Sequence, residues 1–239
     1  MENNIYGYRP DMVEERADAF SFSALMNKVY LWMTLALAVT GLTAYYIAHN
    51  EALVYTIFNN SAMLWGTLIA ELALVWILSA CINRISFAVA GLMFAGYSIL
   101  NGVTCSVIFL AYTKESIAST FLITAGTFGA MSLLGFFIKK DLSTMGRVLF
   151  MALIGLIIAT IVNFFVASST LTWAITYVGV FIFCGLTAYD TQKMKELLQH
   201  ESYQGNNNMM KIALLCSLTL YLDFINLFLY LLRILGNKK

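Results

Sequence analysis

Seven runs of about twenty apolar residues, each long enough to cross a bilayer, leave this 239-residue chain few ways to fold. They lie near 29–48, 62–82, 86–110, 117–138, 148–167, 171–190 and 211–233. The connections between them are short, so no separate soluble domain can be built from what remains. Charged residues make up 11% of the chain, against about 25% in soluble domains. The expected fold is therefore all-α: a polytopic membrane protein with a seven-transmembrane-helix bundle. The expected organisation is a cytoplasmic N-terminal tail over 1–28, the bundle over 29–236 and a short basic tail over 237–239. The partner implied throughout is a lipid bilayer.

Several functions are excluded on composition. A net charge of +1 with no basic patch argues against a nucleic-acid partner. Cys81, Cys105, Cys184 and Cys216 all sit in apolar runs with no C-x-x-C pair, and read as small buried hydrophobes. A retinal protein needs a lysine deep in its last span, and Lys211 is only at the edge. Intramembrane metalloproteases and haem proteins need histidine inside the membrane, whereas His49 and His200 stand at or beyond span ends. No Gly-rich phosphate loop precedes a helix. The chain is expected to be a non-enzyme without a cofactor. A charged stretch from Arg9 to Lys28 precedes the first run, so the first span itself is expected to direct insertion.

Basic residues near span ends set orientation. Arg9, Arg16 and Lys28 lie on one side with Arg84, Lys139, Lys140, Arg147, Lys193, Lys195 and Lys211; Lys114, Arg233, Lys238 and Lys239 lie on the other. This weighting predicts a cytoplasmic N-terminus, with a basic C-terminus as the discordant piece. Either the last span is re-entrant or it crosses fully; the full crossing is the expectation. Gly91 with Ala95, Gly126 with Ala130, and Gly155 with Ala159 put two small side chains one turn apart, the pattern of ordinary bundle packing. The spans contain no proline, so no motion here depends on a proline kink.

Acids inside apolar runs require explanation, because a carboxylate at the bilayer centre costs about 2.5–3.5 kcal/mol on insertion scales. Asp223 lies well inside the last run and Asp190 ends the preceding one. Thr219, Asp223, Asn226 and Tyr230 share one helix face, and Thr187 lies one turn before Asp190. Facing each other, the two stripes make a carboxylate pair among hydroxyl and amide groups. Two like charges in a low-dielectric site cannot both ionise cheaply, so the pair would share a proton and titrate as a unit. The pair can meet only if the sixth span continues as helix past Asp190, or the seventh begins outside the membrane; Gly205–Asn208 is the natural break between them. Glu71, in the second span, is a third acid that could line the same cavity.

The strings Gly185-Leu-Thr-Ala-Tyr-Asp-Thr-Gln-Lys193, Leu218-Thr-Leu-Tyr-Leu-Asp-Phe-Ile-Asn-Leu-Phe228 and Lys139-Lys-Asp-Leu-Ser143 resemble the Bax inhibitor-1 family, in its bacterial branch. The resemblance runs from the first span to the end. It implies a pH-dependent calcium leak across a bacterial inner membrane, with a proton-sharing aspartate pair at the pore, here Asp190 and Asp223. The same two carboxylates would then hold calcium transiently. It also implies an arginine latch from the second helix; Arg84 stands about two residues beyond that position, and Glu71 matches an acid of some members. Arg84, Glu71 and Asn226 are thus the candidate latch or pore residues beside the pair. Members have also been linked to stress tolerance and membrane-bound proteases, so a non-transporting regulator with a protease partner is the competing expectation. The acidic tail Met1–Asp18 would suit such a contact.

Overall fold

The computed structural model describes residues 10–82, 84–204 and 209–239. The described residues form eight helices: α1 Pro10–Ala48, α2 Glu51–Phe58, α3 Ser61–Cys81, α4 Phe87–Ala111, α5 Lys114–Phe137, α6 Ser143–Val166, α7 Ser169–Gln204 and α8 Met209–Leu235. Seven are long and apolar enough to span a membrane, the first of these over Phe22–Ala48. The protein is an all-α multi-pass membrane protein. Helix continues N-terminally through part of the stretch expected as a tail, from Pro10 onward. Met1–Arg9 and the break at Gly205–Asn208 lie outside the described residues.

Side-chain oxygens immediately before the helices start several of them. Asn50 accepts from Leu53 N (3.2 Å), Asn60 from Ala62 N (3.0 Å), Ser86 from Val89 N (3.3 Å) and Thr113 from Ser116 N (3.3 Å). Each satisfies an amide that the first helical turn leaves unpaired, worth about 1 kcal/mol. α2 is a short extra helix between the first two spans, unanticipated because eight residues cannot cross a bilayer.

The bundle is organised around α8, which packs against α1, α4, α5 and α7. Two-thirds of its span (67%) is buried, against 6% for α3 and for α6, so those two helices are peripheral and present their apolar surface to lipid. α8 runs from one end of the bundle to the other. Near its start, Lys211 Nζ donates to Ile85 O (3.2 Å) just before α4 begins. Just past its end, Lys239 N donates to Ala111 O (3.0 Å) and Thr113 N to Asn237 O (3.1 Å), where α4 ends. A re-entrant segment would return to the first of these ends, so the basic C-terminal residues do lie opposite the α3–α4 connection.

Close helix contacts use different small residues from the expected ones. A Cβ on Gly126 or Gly155 would meet nothing within 4 Å, and one on Gly91 only a leucine methyl at 4.0 Å. The tight positions within helices are Gly102 against Thr40 and Thr43 of α1, Gly135 against the Ala188 backbone of α7, Gly146 against Tyr189, Gly179 against Tyr230, and Gly185 against Leu149. Spacing alone could not separate the two sets, since small pairs also face lipid at no cost.

Candidate functional site

α7 has 36 residues and is about 54 Å long, well beyond a hydrocarbon core of about 30 Å. Its extra length is what brings the acids together. Asp190 stands fourteen residues before Gln204, and Asp223 stands fourteen residues after Met209. Antiparallel helices entering from the same side therefore place both at equal depth, about 21 Å along each helix from the break. The two carboxyl groups lie within hydrogen-bonding reach of each other. Both are enclosed, Asp190 at 9% and Asp223 at 5% exposure. Asp223 Oδ2 meets no donor from any described residue.

The hydroxyl and amide groups expected around the pair do not serve it. Thr187 Oγ1 donates to Phe183 O (2.7 Å), Thr219 Oγ1 to Leu215 O (3.2 Å) and Asn226 Nδ2 to Leu222 O (2.8 Å). Each bonds the carbonyl one turn back on its own helix, the usual alternative for a polar group in an apolar span. Tyr230 stacks on Phe183, with ring centroids 5.8 Å apart. The pair thus sits in a setting more apolar than a face-sharing argument implies. Lys193, one turn along α7, is the cation whose charge reaches Asp190. Both line a cavity of about 220 Å³ with Cys216 and Thr219. Arg84 is exposed at the α3–α4 connection and its guanidinium makes no hydrogen bond or ion pair among the described residues, so the structure does not bring it to the pair.

Glu71 belongs to a separate cluster. Thr104 Oγ1 donates to Glu71 Oε1 (2.8 Å), and Asn101, one turn before Thr104 on α4, belongs to the same cluster. Tyr221 OH donates to Asn101 Oδ1 (3.0 Å) and contacts Thr40 Oγ1 (2.7 Å), which bonds Ser98 O (2.9 Å). This chain of polar groups ties α8 to α4, α3 and α1, and Tyr221 is fully enclosed within it. Tyr221, Thr40 and Asn101 were not singled out from the sequence. The i, i+3 pair Asn101 and Thr104 inside an apolar run was the available signal.

Side chains on α7 fix the depth of Asp190. Gln192 Oε1 accepts from Leu142 N (2.8 Å), while its Nε2 donates to Lys140 O (3.0 Å) and Ile138 O (3.3 Å). One amide thereby satisfies three backbone groups of the α5–α6 connection. Lys195 Nζ donates to Phe136 O (2.9 Å). Beside Asp190, Thr191 Oγ1 bonds Ser132 Oγ (3.1 Å), which bonds Tyr30 OH (2.6 Å), joining α7, α5 and α1.

The family described as inhibitor of apoptosis-promoting Bax1 matches residues 23–239, which include both aspartates and every span. The chain belongs to the Bax inhibitor family. It is 52% identical to inner membrane protein YbhL of Escherichia coli K12 over 214 residues, covering 90% of this chain and 92% of that protein. It is 45% identical to an uncharacterized protein of Deinococcus radiodurans, with 90% of each chain covered. A Borreliella burgdorferi protein, also uncharacterized, is 42% identical over 96% of this chain and 98% of its own length. The bacterial branch expected from the motifs is the one found. Among the described residues no group of three or more His, Cys, Asp or Glu side chains could hold a metal.

Proposed function

We propose that this protein is a non-enzymatic, pH-sensitive cation leak of a bacterial inner membrane, with calcium as the permeant ion and Asp190–Asp223 as its switch. The observation that carries the reading is the juxtaposition of two enclosed carboxyl groups, one oxygen of which finds no donor. An ionised carboxylate only accepts hydrogen bonds, whereas a protonated one also donates. A single proton between the two acids therefore satisfies them mutually and leaves one negative charge on the pair. Removing that proton sets two carboxylates against each other, which favours separation and attracts a hard cation that takes oxygen ligands. Two carboxylates offer at most four oxygens, fewer than the six to eight of a resident calcium site, so an ion would pass and not lodge.

With Arg84 exposed at the α3–α4 connection, no arginine among the described residues is bonded at the pair to compete with the entering cation. The leak should therefore increase towards alkaline pH. The inner-membrane assignment is supported by the name of the Escherichia coli relative. A cytoplasmic N-terminus is supported by the excess of lysine and arginine on the side of Lys139, Lys140 and Arg147.

Calcium-indicator flux into liposomes containing the purified protein, across the neutral pH range, tests this. Wild type should leak with a pH dependence that Asp190→Asn and Asp223→Asn each abolish. Unchanged titration in both variants removes the pair as the switch. Flux no greater than in empty liposomes at any pH overturns transport and favours the regulator that needs a protein partner.

A further inference from the structure

α1 and α5 run side by side without packing closely, and the space between them forms two joined apolar cavities floored by α8. The one towards the C-terminal end of α8 has a volume of about 470 Å³. Its α1 wall runs from Leu37 to Tyr45 and its α5 wall from Lys114 to Leu122. Each wall spans nine residues, a rise of about 12 Å, which approaches the depth of one leaflet, about half of a 30 Å core. Gly41 and Ala118 keep it open: a Cβ on Gly41 would meet nothing within 4 Å.

The mouth is basic. Lys114 lines the cavity and lies over the Tyr45 ring, 5.6 Å from its centroid. It is also the first residue of α5, where the helix dipole already favours an anion and disfavours a cation. Lys239 brings a second ammonium to the rim by donating to Phe109 O (2.7 Å), and Phe109 lines the same cavity. Glu115, the neighbouring acid, is one residue further round α5 and does not line it. These lysines are the charges that the orientation rule leaves unexplained on this side.

We propose that this half of the α1–α5 groove is a binding site for an anionic glycerophospholipid, its acyl chain in the cavity and its phosphate at Lys114. The apolar walls match a chain in length and chemistry, and the cationic rim selects the headgroup. A zwitterionic lipid offers the same phosphate with a positive group beside the two lysines, so it should bind less well.

Native mass spectrometry of the detergent-purified protein, titrated with phosphatidylglycerol and with phosphatidylcholine of the same chains, tests this. Wild type should retain the anionic lipid several-fold better. Lys114→Gln should bring the two lipids to parity, while Lys140→Gln, at the other end of the bundle, should leave the preference intact. Ala118→Phe fills the cavity and should cut retention of both lipids several-fold. Glycerol phosphate alone should not displace the lipid. Equal retention of the two lipids by wild type, an undiminished preference in Lys114→Gln, or displacement by glycerol phosphate would each overturn the proposal. Should Ala118→Phe fail to fold, Lys114→Gln, an exposed change, still decides it.

Discussion

A single methyl group should have opposite effects at two glycines of α5. At Gly126 an added Cβ meets nothing within 4 Å, so Gly126→Ala leaves packing untouched. It should stabilise by up to about 1 kcal/mol, the difference in helix propensity between the residues. At Gly135 the same Cβ would overlap Ala188 O and lie 2.8 Å from Ala188 C and 2.9 Å from its Cα. Those are backbone atoms of α7, which cannot rotate aside, so the helices must part. Overpacking of this kind costs about 1–3 kcal/mol. Against a backbone the upper part of that range applies, and the propensity gain of about 1 kcal/mol offsets part of it. Gly135→Ala should then lose about 1–2 kcal/mol net, some 2–3 kcal/mol below Gly126→Ala. Equilibrium unfolding in mixed micelles measures both. Because Ala188 is two residues from Asp190, Gly135→Ala should also shift the pH response of calcium flux, which Gly126→Ala should not. Equal stability of the two variants would refute the close α5–α7 contact, and with it the argument for what holds Asp190 in place.

Tyr221→Phe removes the hydroxyl that joins Asn101 and Thr40 while keeping the ring against Phe94 and Tyr97. It should cost about 1–2 kcal/mol in the same unfolding assay, and a loss below about 0.3 kcal/mol would mean the hydroxyl is not engaged. Gln192→Leu leaves Leu142 N and two carbonyls of the α5–α6 connection unpaired. Stability should fall by about 2–3 kcal/mol and tryptic cleavage at Lys139 and Lys140 should accelerate; an unchanged cleavage rate removes the clamp. Asp141, exposed between α5 and α6, has its carboxyl held below the usual carboxylate range by its bonds to Ser143, with Arg147 nearby. A depressed acid stabilises above its unfolded pKa of about 3.9 and loses that contribution as pH falls through the lower folded value. Wild type should therefore be more stable than Asp141→Ala at neutral pH, with the gap closing in acid; a pH-independent gap would show the charge is not involved.

The seven spans were legible because membrane solvation imposes a length and a composition that sequence alone reveals. Most of their ends moved by a few residues; the larger changes are the extension of the first helix back to Pro10 and the continuation of α7 to Gln204. That continuation was one of two routes by which Asp190 and Asp223 could meet, since a helix with Lys193, Lys195 and Glu196 on its exposed turns needs no lipid. What the sequence did not reveal is which way a polar side chain turns inside an apolar helix. Thr187, Thr219 and Asn226 share the correct faces, yet bond to their own backbones. Gln192 turns instead to a neighbouring connection, because three backbone groups there have no partner within their own helices. Arg84 was placed by sequence distance from a motif, but two residues amount to over half a turn, and the guanidinium ends exposed.

Tyr221 and Asp223 are separated by two residues, about 200° around α8, so they face opposite sides of the same helix. Asp223 looks to α7, and Tyr221 to α1 and α4. Separating the acids must therefore break one of two attachments. Moving α8 disrupts the bonds of a fully enclosed tyrosine together with the packing of a helix that four others surround. Moving α7 disrupts the Gln192 bonds and the contacts at Gly135, but at its outer flank α7 meets α6, whose span is only 6% buried because α7 is the one described helix that packs closely against it. Lipid yields where protein does not, so α7 and α6 are the side that can give way. Charge at the aspartate pair would then be read out as displacement of the bundle's edge, while its centre stays fixed by Tyr221.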